Sequence, residues 1–143
     1  RFAMHHFPDP ARVLGEMARV CRIGGKIGLE DIVASEHRAK ADFHNQFERL
    51  RDTSHTRFLA LSELAAQVAR AGFDLKKFTS LELDNPVERW LETTQTPPDR
   101  AAKVREMIER DVAEDLSGAD ARRVGGALHF THRAAILVGK RLA

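Results

Sequence analysis

The sequence is short of cysteine, of long apolar runs and of any surplus of one charge, and each shortage narrows what the chain can be. The one cysteine, Cys21, has no partner within the chain, so no internal disulfide forms. Its place on the apolar side of a helical pattern reads as a buried thiol rather than a nucleophile. Such cysteine usage suits a reducing compartment, and a cytoplasmic location is the expectation. No apolar stretch approaches the ~20 residues of a membrane span, so no membrane is expected among its partners. Basic residues number 23 against 21 acidic, a net charge of +2. The basic pairs Lys76-Lys77, Arg122-Arg123 and Lys140-Arg141 are short and scattered, so a pI near 9.0 does not make a nucleic-acid-binding face. There is no G-x-S-x-G nucleophile elbow, no G-x-G-x-x-G phosphate loop and no internal repeat. His5 and His6 are adjacent and diverge, and His129 and His132 fall on opposite sides of a predicted strand. No ligand pair at zinc-like spacing is left, and no metal is expected.

What is present is an ordinary globular composition, 43% hydrophobic and 31% charged over 143 residues. That length fits one domain. The stretch RFAMHHFPDPARVLGEMARVCRIGGKIGLED, residues 1–31, organises the rest. Phe2 to Met4 reads as the end of a strand and His5 to Pro10 as a loop. Val13, Leu14, Met17, Val20 and Cys21 recur at the spacing of one helix face. Gly24-Gly25 stops that helix, and Ile27, Leu29, Ile32 and Val33 mark a buried strand. Strand, helix and strand in this order make the unit of a parallel sheet.

Further along, Ser35 is a candidate cap for a helix striped by Ala39, Phe43, Phe47 and Leu50. Its opposite face holds His37, Arg38, Lys40, Asp42, Glu48, Arg49 and Arg51 and reads as solvated. Leu61, Leu64, Ala65, Val68 and Ala71 stripe another helix, with Ser62 as its cap and Gly72 as its stop. A strand follows over 73–83, its alternation broken near Lys77 as a bulge would break it. Asp84-Asn85-Pro86 and Thr96-Pro97-Pro98-Asp99 are two helix starts. The second opens a long helix carrying Val104, Met107, Ile108, Val112 and Leu116, which Ser117-Gly118 breaks. After Gly125-Gly126, the dense run Ala134 to Val138 reads as a strand covered on both faces. The expected division is one partial domain. Residues 1–33 are its core, 34–60 carry a candidate lid helix, 61–84 a helix and strand, 85–124 inserted helices and 125–143 the last strand.

The order Arg1-Phe2-Ala3-Met4-His5-His6-Phe7, Asp9-Pro10, Val13-Leu14, Glu16, Arg19-Val20, Arg22-Ile23-Gly24-Gly25 and Asp31 resembles the second half of a class I S-adenosylmethionine-dependent methyltransferase. The small-molecule enzymes related to the ubiquinone and menaquinone methyltransferases are the type it is similar to. Ile23 stands where that family usually has proline, a change that acts on the stability of the turn. The resemblance implies an α/β fold: a truncated Rossmann-like sheet of about four strands, two parallel plus an antiparallel C-terminal pair, with helices on both faces. It implies a last strand inserted antiparallel between the strands at 27–33 and 73–83. It also implies S-adenosylmethionine as cofactor and a small-molecule methyl acceptor. The glycine-rich loop that binds most of the cofactor is expected upstream of these residues.

In open α/β sheets, ligands bind outside the carboxyl ends of the strands. Met4-His5-His6-Phe7 and Glu30-Asp31 are two such ends. His5 and His6 are candidate bases for an acceptor that carries a proton, and Asp31 is a candidate for orienting substrate. The alternative is that the histidines only shape the loop. Glu30 points to the other side of its strand. By resemblance, Arg1 and Phe2 pass the methionine end of the cofactor. Two functions stay open: methyl transfer as part of a complete enzyme, or a non-catalytic, dimerising or ligand-binding remnant of the fold. With its leading half absent, the sheet is expected to expose an edge, and a homodimer is expected to cover it.

Overall fold

A computed structural model describes residues 1–143. After a short 3-10 turn, Met4–His6, come α1 (Pro10–Val20), β1 (Lys26–Val33), α2 (Arg38–Arg51), α3 (Leu61–Arg70), β2 (Phe73–Pro86), α4 (Val87–Glu92), α5 (Pro98–Glu114), β3 (Arg122–Val124) and β4 (Ala127–Arg141). The four strands form one sheet in the order β1-β4-β2, with β3 also on β4. β4 runs antiparallel to all three. β1 and β2 therefore point the same way with β4 between them, as the resemblance implied. Every ladder in the sheet has β4 as one of its rails.

The central place of β4 explains its composition. Ala134, Ala135 and Leu137 are buried because neighbours cover both faces. Positions alternate across a strand. Ile27, Leu29 and Leu137 join Leu14, Ala18, Leu64, Val68 and Phe73 in a core under α1 and α3. Phe130, on the other face, joins Phe47, Val87, Trp90, Val104 and Ile108 in a second core made with α2, α4 and α5. Asp9 caps α1 by accepting from the Arg12 N–H at 3.1 Å, and Pro10 opens the helix where no N–H is needed. Gly72 stops α3 at φ +87, a conformation that costs side-chained residues about 1 kcal/mol or more. Gly125 and Gly126, both at positive φ, close the tight turn between β3 and β4. The broken alternation near Lys77 is a real irregularity: the β2–β4 register shifts between Leu75 and Lys77.

Several expectations need correcting. Phe2 to Met4 is not a strand. Phe2 makes one sheet-like bond, N to the Glu30 carbonyl at 2.7 Å. Its φ of 47 then turns the chain out of the extended region into the 3-10 turn. Val20 is exposed, since α1 turns only Leu14 and Ala18 fully inward. Ser35 does not cap α2. Its hydroxyl accepts from the His37 N–H, and the helix starts at Arg38 without a side-chain cap. Ser62 lies inside α3, where its N–H and hydroxyl both donate to Glu36. β2 runs on to Pro86, so α4 begins only at Val87. β2 is also mostly exposed, with Phe78, Leu81 and Leu83 among its exposed side chains.

The largest correction falls on α2. Glu48, assigned to a solvated face, is 1% exposed, while Ala39 of the apolar stripe is exposed. α2 is wedged between two partners. Phe43, Phe47 and Leu50 pack toward α4 and α5, while His44, Asn45 and Glu48 turn toward β4 and the loop at 52–59. A helix gripped on two sides buries polar positions that an apolar stripe cannot reveal.

Candidate functional site

Asp31 is the residue around which the site is built. It is 2% exposed at the carboxyl end of β1. Its Oδ1 meets His5 Nδ1 at 2.5 Å, and its Oδ2 accepts from the His5 backbone N–H at 3.0 Å. The Ile32 N–H completes the set at 2.8 Å from Oδ1. One carboxylate thus fixes both the ring and the backbone of His5. An ionised carboxylate can only accept, so beside one the neutral ring of His5 is the tautomer with its proton on Nδ1 and its lone pair on Nε2. The turn is pinned from the other side as well. The His5 carbonyl accepts from the N–H groups of Thr56 and Arg57 at 2.8 and 3.1 Å. His6 Nδ1 lies 3.0 Å from the Ser54 hydroxyl and 3.1 Å from its carbonyl. Arg1 does not reach toward the turn, because Glu30 holds its guanidinium at 2.6 Å.

His5, His6 and Phe2 form one wall of a cavity of about 360 Å³. Its other walls come from α2, the loop at 52–59, β2, α4 and β4, with Phe58, Trp90 and His132 prominent. The volume is at the small-metabolite end of ligand sites. A roomier cleft of about 510 Å³ beside the end of α5 has charged walls. Some of those charges already pair with each other, Lys40 with Asp115 for one, so it offers little to a ligand.

Five of the seven histidines collect here, four of them around Phe58 and His6 against His5. The His5 and His55 rings pack on Phe58 at 4.9 and 4.5 Å, and those of His44 and His132 at 5.2 and 5.6 Å. Burial pulls the His55 imidazole down from 6.5 to about 4, so it is neutral at physiological pH. Its Nε2 meets Asn45 Oδ1 at 2.8 Å. Glu48 is the buried anion of the group. Burial alone raises its carboxyl, but His132 and His44 beside it outweigh that and hold it well below the usual carboxylate range. Arg51 stands 3.8 Å from Glu48, with its guanidinium 4.5 Å above the Trp90 ring.

The structure thus brings together His5, His6, Asp31 and Phe2 of the residues singled out in the sequence, and leaves Arg1 paired at the surface. It adds Glu48, His44, His55 and His132. The H-x-x-x-E spacing of His44 and Glu48 is the one signal in the sequence that points to two of these. His132 was weighed only against His129, and its actual partners lie on α2.

This arrangement of sheet and crossing helices is part of the fold of the class I S-adenosylmethionine-dependent methyltransferases. Among curated proteins the chain is similar to the uncharacterized methyltransferase YcgJ of Bacillus subtilis. It is 29% identical to YcgJ over 141 residues, which is 97% of this chain and 56% of that protein. The crystal structure of YcgJ superposes with a TM-score of 0.91 at 26% identity, covering 100% of this chain and 62% of that one. A Bacillus halodurans protein described as a candidate methyltransferase superposes with a TM-score of 0.92 at 26% identity, covering 100% and 68%. A phosphoethanolamine N-methyltransferase of Haemonchus contortus, solved with S-adenosylhomocysteine, shares the fold alone. Its TM-score is 0.52 at 10% identity, covering 100% of this chain and 32% of that one. No family model matches the sequence. The chain spans about half the length of the curated relatives it matches. No helix is long and apolar enough to cross a membrane.

Proposed function

We propose that this chain supplies the acceptor-binding side of an enzyme that transfers a methyl group from S-adenosylmethionine to a small molecule. In this reading His5 is the base and Asp31 its positioning residue. The observation that carries it is the pair of half-buried His5 and buried Asp31, 2.5 Å apart, at the wall of an aromatic cavity of about 360 Å³.

The residues present fit the cofactor at its reacting end only. Phe2 gives the cavity an apolar face next to His5, Arg1 is occupied by Glu30, and the sequence has no glycine-rich phosphate or ribose loop. When bound, S-adenosylmethionine supplies a sulfonium-activated methyl group. The protein's own work is then to align the acceptor and take its proton. His5 Nε2 accepts that proton, and Asp31 stabilises the resulting imidazolium, as a carboxylate at Nδ1 does in other histidine bases. Phe58 and Trp90 keep water from the acceptor, and His6, tied to Ser54, shapes the rim.

The test, made on the protein with the cofactor-binding side that the proposal requires, is transfer of a labelled methyl group from S-adenosylmethionine to a panel of phenols, quinols, amines and carboxylates, comparing the wild type with His5→Gln. Removing a general base should lower kcat by roughly 10²–10⁴-fold with KM little changed. Full activity in His5→Gln refutes the assignment of the base, and absence of transfer to any acceptor refutes the proposed activity.

A further inference from the structure

A second cluster lies beside the cavity that methyl transfer by His5 does not use. His44 and Glu48 stand one turn apart on α2, and β4 brings His132 against them. The three are 3%, 1% and 7% exposed. One ligating atom from each lies within 4.8 Å of the other two. His132 Nε2 is 2.6 Å from Glu48 Oε1. His44 Nε2 is 3.5 Å from the same oxygen, and it is buried without a hydrogen-bond partner. A buried nitrogen without a partner loses its hydration with no compensation. Its position facing a buried carboxylate is accounted for if a third body sits between them.

We infer that His44, Glu48 and His132 form a binding site for one divalent transition-metal ion, of the class of Zn²⁺ or Fe²⁺. Two imidazoles and one carboxylate are the donors such ions take, whereas Ca²⁺ and Mg²⁺ prefer sets made of oxygen. Ligands about 2.1 Å from an ion stand roughly 3 to 3.5 Å from one another. The 3.5 Å separation of His44 and Glu48 already fits. The shorter His132–Glu48 contact opens slightly when an ion replaces the shared proton. Arg51 does not compete for the same oxygen, since it lies near Oε2 and is held by Thr93 at 2.7 Å. Glu48 and His132 both line the cavity, so the ion keeps open positions on that side for water or for an oxygen of a bound small molecule. Nothing in this site depends on methyl transfer.

The test is titration of chelator-stripped protein with Zn²⁺ by calorimetry and with Co²⁺ by visible absorption. One ion per chain at micromolar affinity or tighter is expected, with d–d bands for Co²⁺. Losing a ligand in His44→Gln or Glu48→Gln should weaken binding roughly 100-fold or more, since even changes behind the ligands cost 10- to 100-fold. His37→Gln and His129→Gln, outside the cluster, should leave it unchanged. If a cluster variant fails to fold, X-ray absorption of the Zn²⁺-loaded wild type decides, with two imidazoles and a carboxylate expected around the ion. No binding, binding indifferent to His44 and Glu48, or a different imidazole count overturns the inference.

Discussion

The two faces of the sheet bury their side chains by opposite rules. Under α1 and α3 the core is apolar: Leu14, Leu64, Val68 and Phe73 pack with Ile27, Leu29 and Leu137. Under α2 and α4 the interior also holds His44, Asn45, Glu48, His55 and His132, each needing a partner of the right kind. The first face gains stability from area removed from water. The second puts a carboxylate and four polar side chains out of water, an arrangement that mere folding seldom favours, because apolar residues of the same size would serve as well or better. Departures of this kind from simple burial collect where a protein does its chemistry.

That contrast can be broken most forcefully on the apolar side. Leu14→Ala should cost about 2–5 kcal/mol in urea unfolding, because Leu14 is fully buried and leaves a cavity. A loss well under 1 kcal/mol would mean that this face is not the stabilising one. On the polar side the expected effect is smaller and of a different origin. Asn45 Oδ1 accepts from the Phe58 N–H at 2.7 Å and meets His55 Nε2 at 2.8 Å. Asn45→Ala strands both groups and should cost about 1–3 kcal/mol, measured the same way. If Asn45→Ala proves neutral, the polar interior is looser than its geometry implies.

The smallest effect sharpens the comparison through pH. His55 stays neutral in the fold down to about pH 4, while the unfolded chain takes up its proton from about 6.5. Between those values the unfolded state binds more protons. The stability linked to His55 is therefore fully present above pH 6.5 and drains as the pH falls toward 4. From about pH 7.5 to about pH 6 the loss should stay under about 1 kcal/mol, and His55→Gln should flatten it. A profile that rises toward acid would reverse the assignment.

Much of the apolar face can be read from the chain. The spacing of Leu14 and Met17, of Leu64 and Val68, and of Ile27 and Leu29 gives α1, α3 and β1, and the faltering alternation at Lys77 gives the irregularity in β2. Asp31 and the two adjacent histidines stand out as well, because strand ends are where ligands collect. The polar face is far less legible. An apolar stripe marks only one flank of α2, and nothing local says that Glu48 is sealed in by a strand that begins nearly eighty residues later. His132 meets Glu48 across 84 positions of sequence, and a pairing that distant comes from topology rather than from periodicity. The 3-10 turn at Met4–His6 was missed for a related reason, since its shape is imposed by Asp31 and by the loop at 52–59.

The shared rail of the sheet also governs how the chain reaches its shape. β1 and β2 make no ladder with each other, so what joins them is the arrival of residues 127–141. The helices among these residues can form early, but the pairings of β1 and β2 with β4 must wait for the last fifteen or so residues of this stretch. Long-range pairing of that kind is slow, and until it happens the apolar undersides of α1 and α3 lack the surface they are meant to cover.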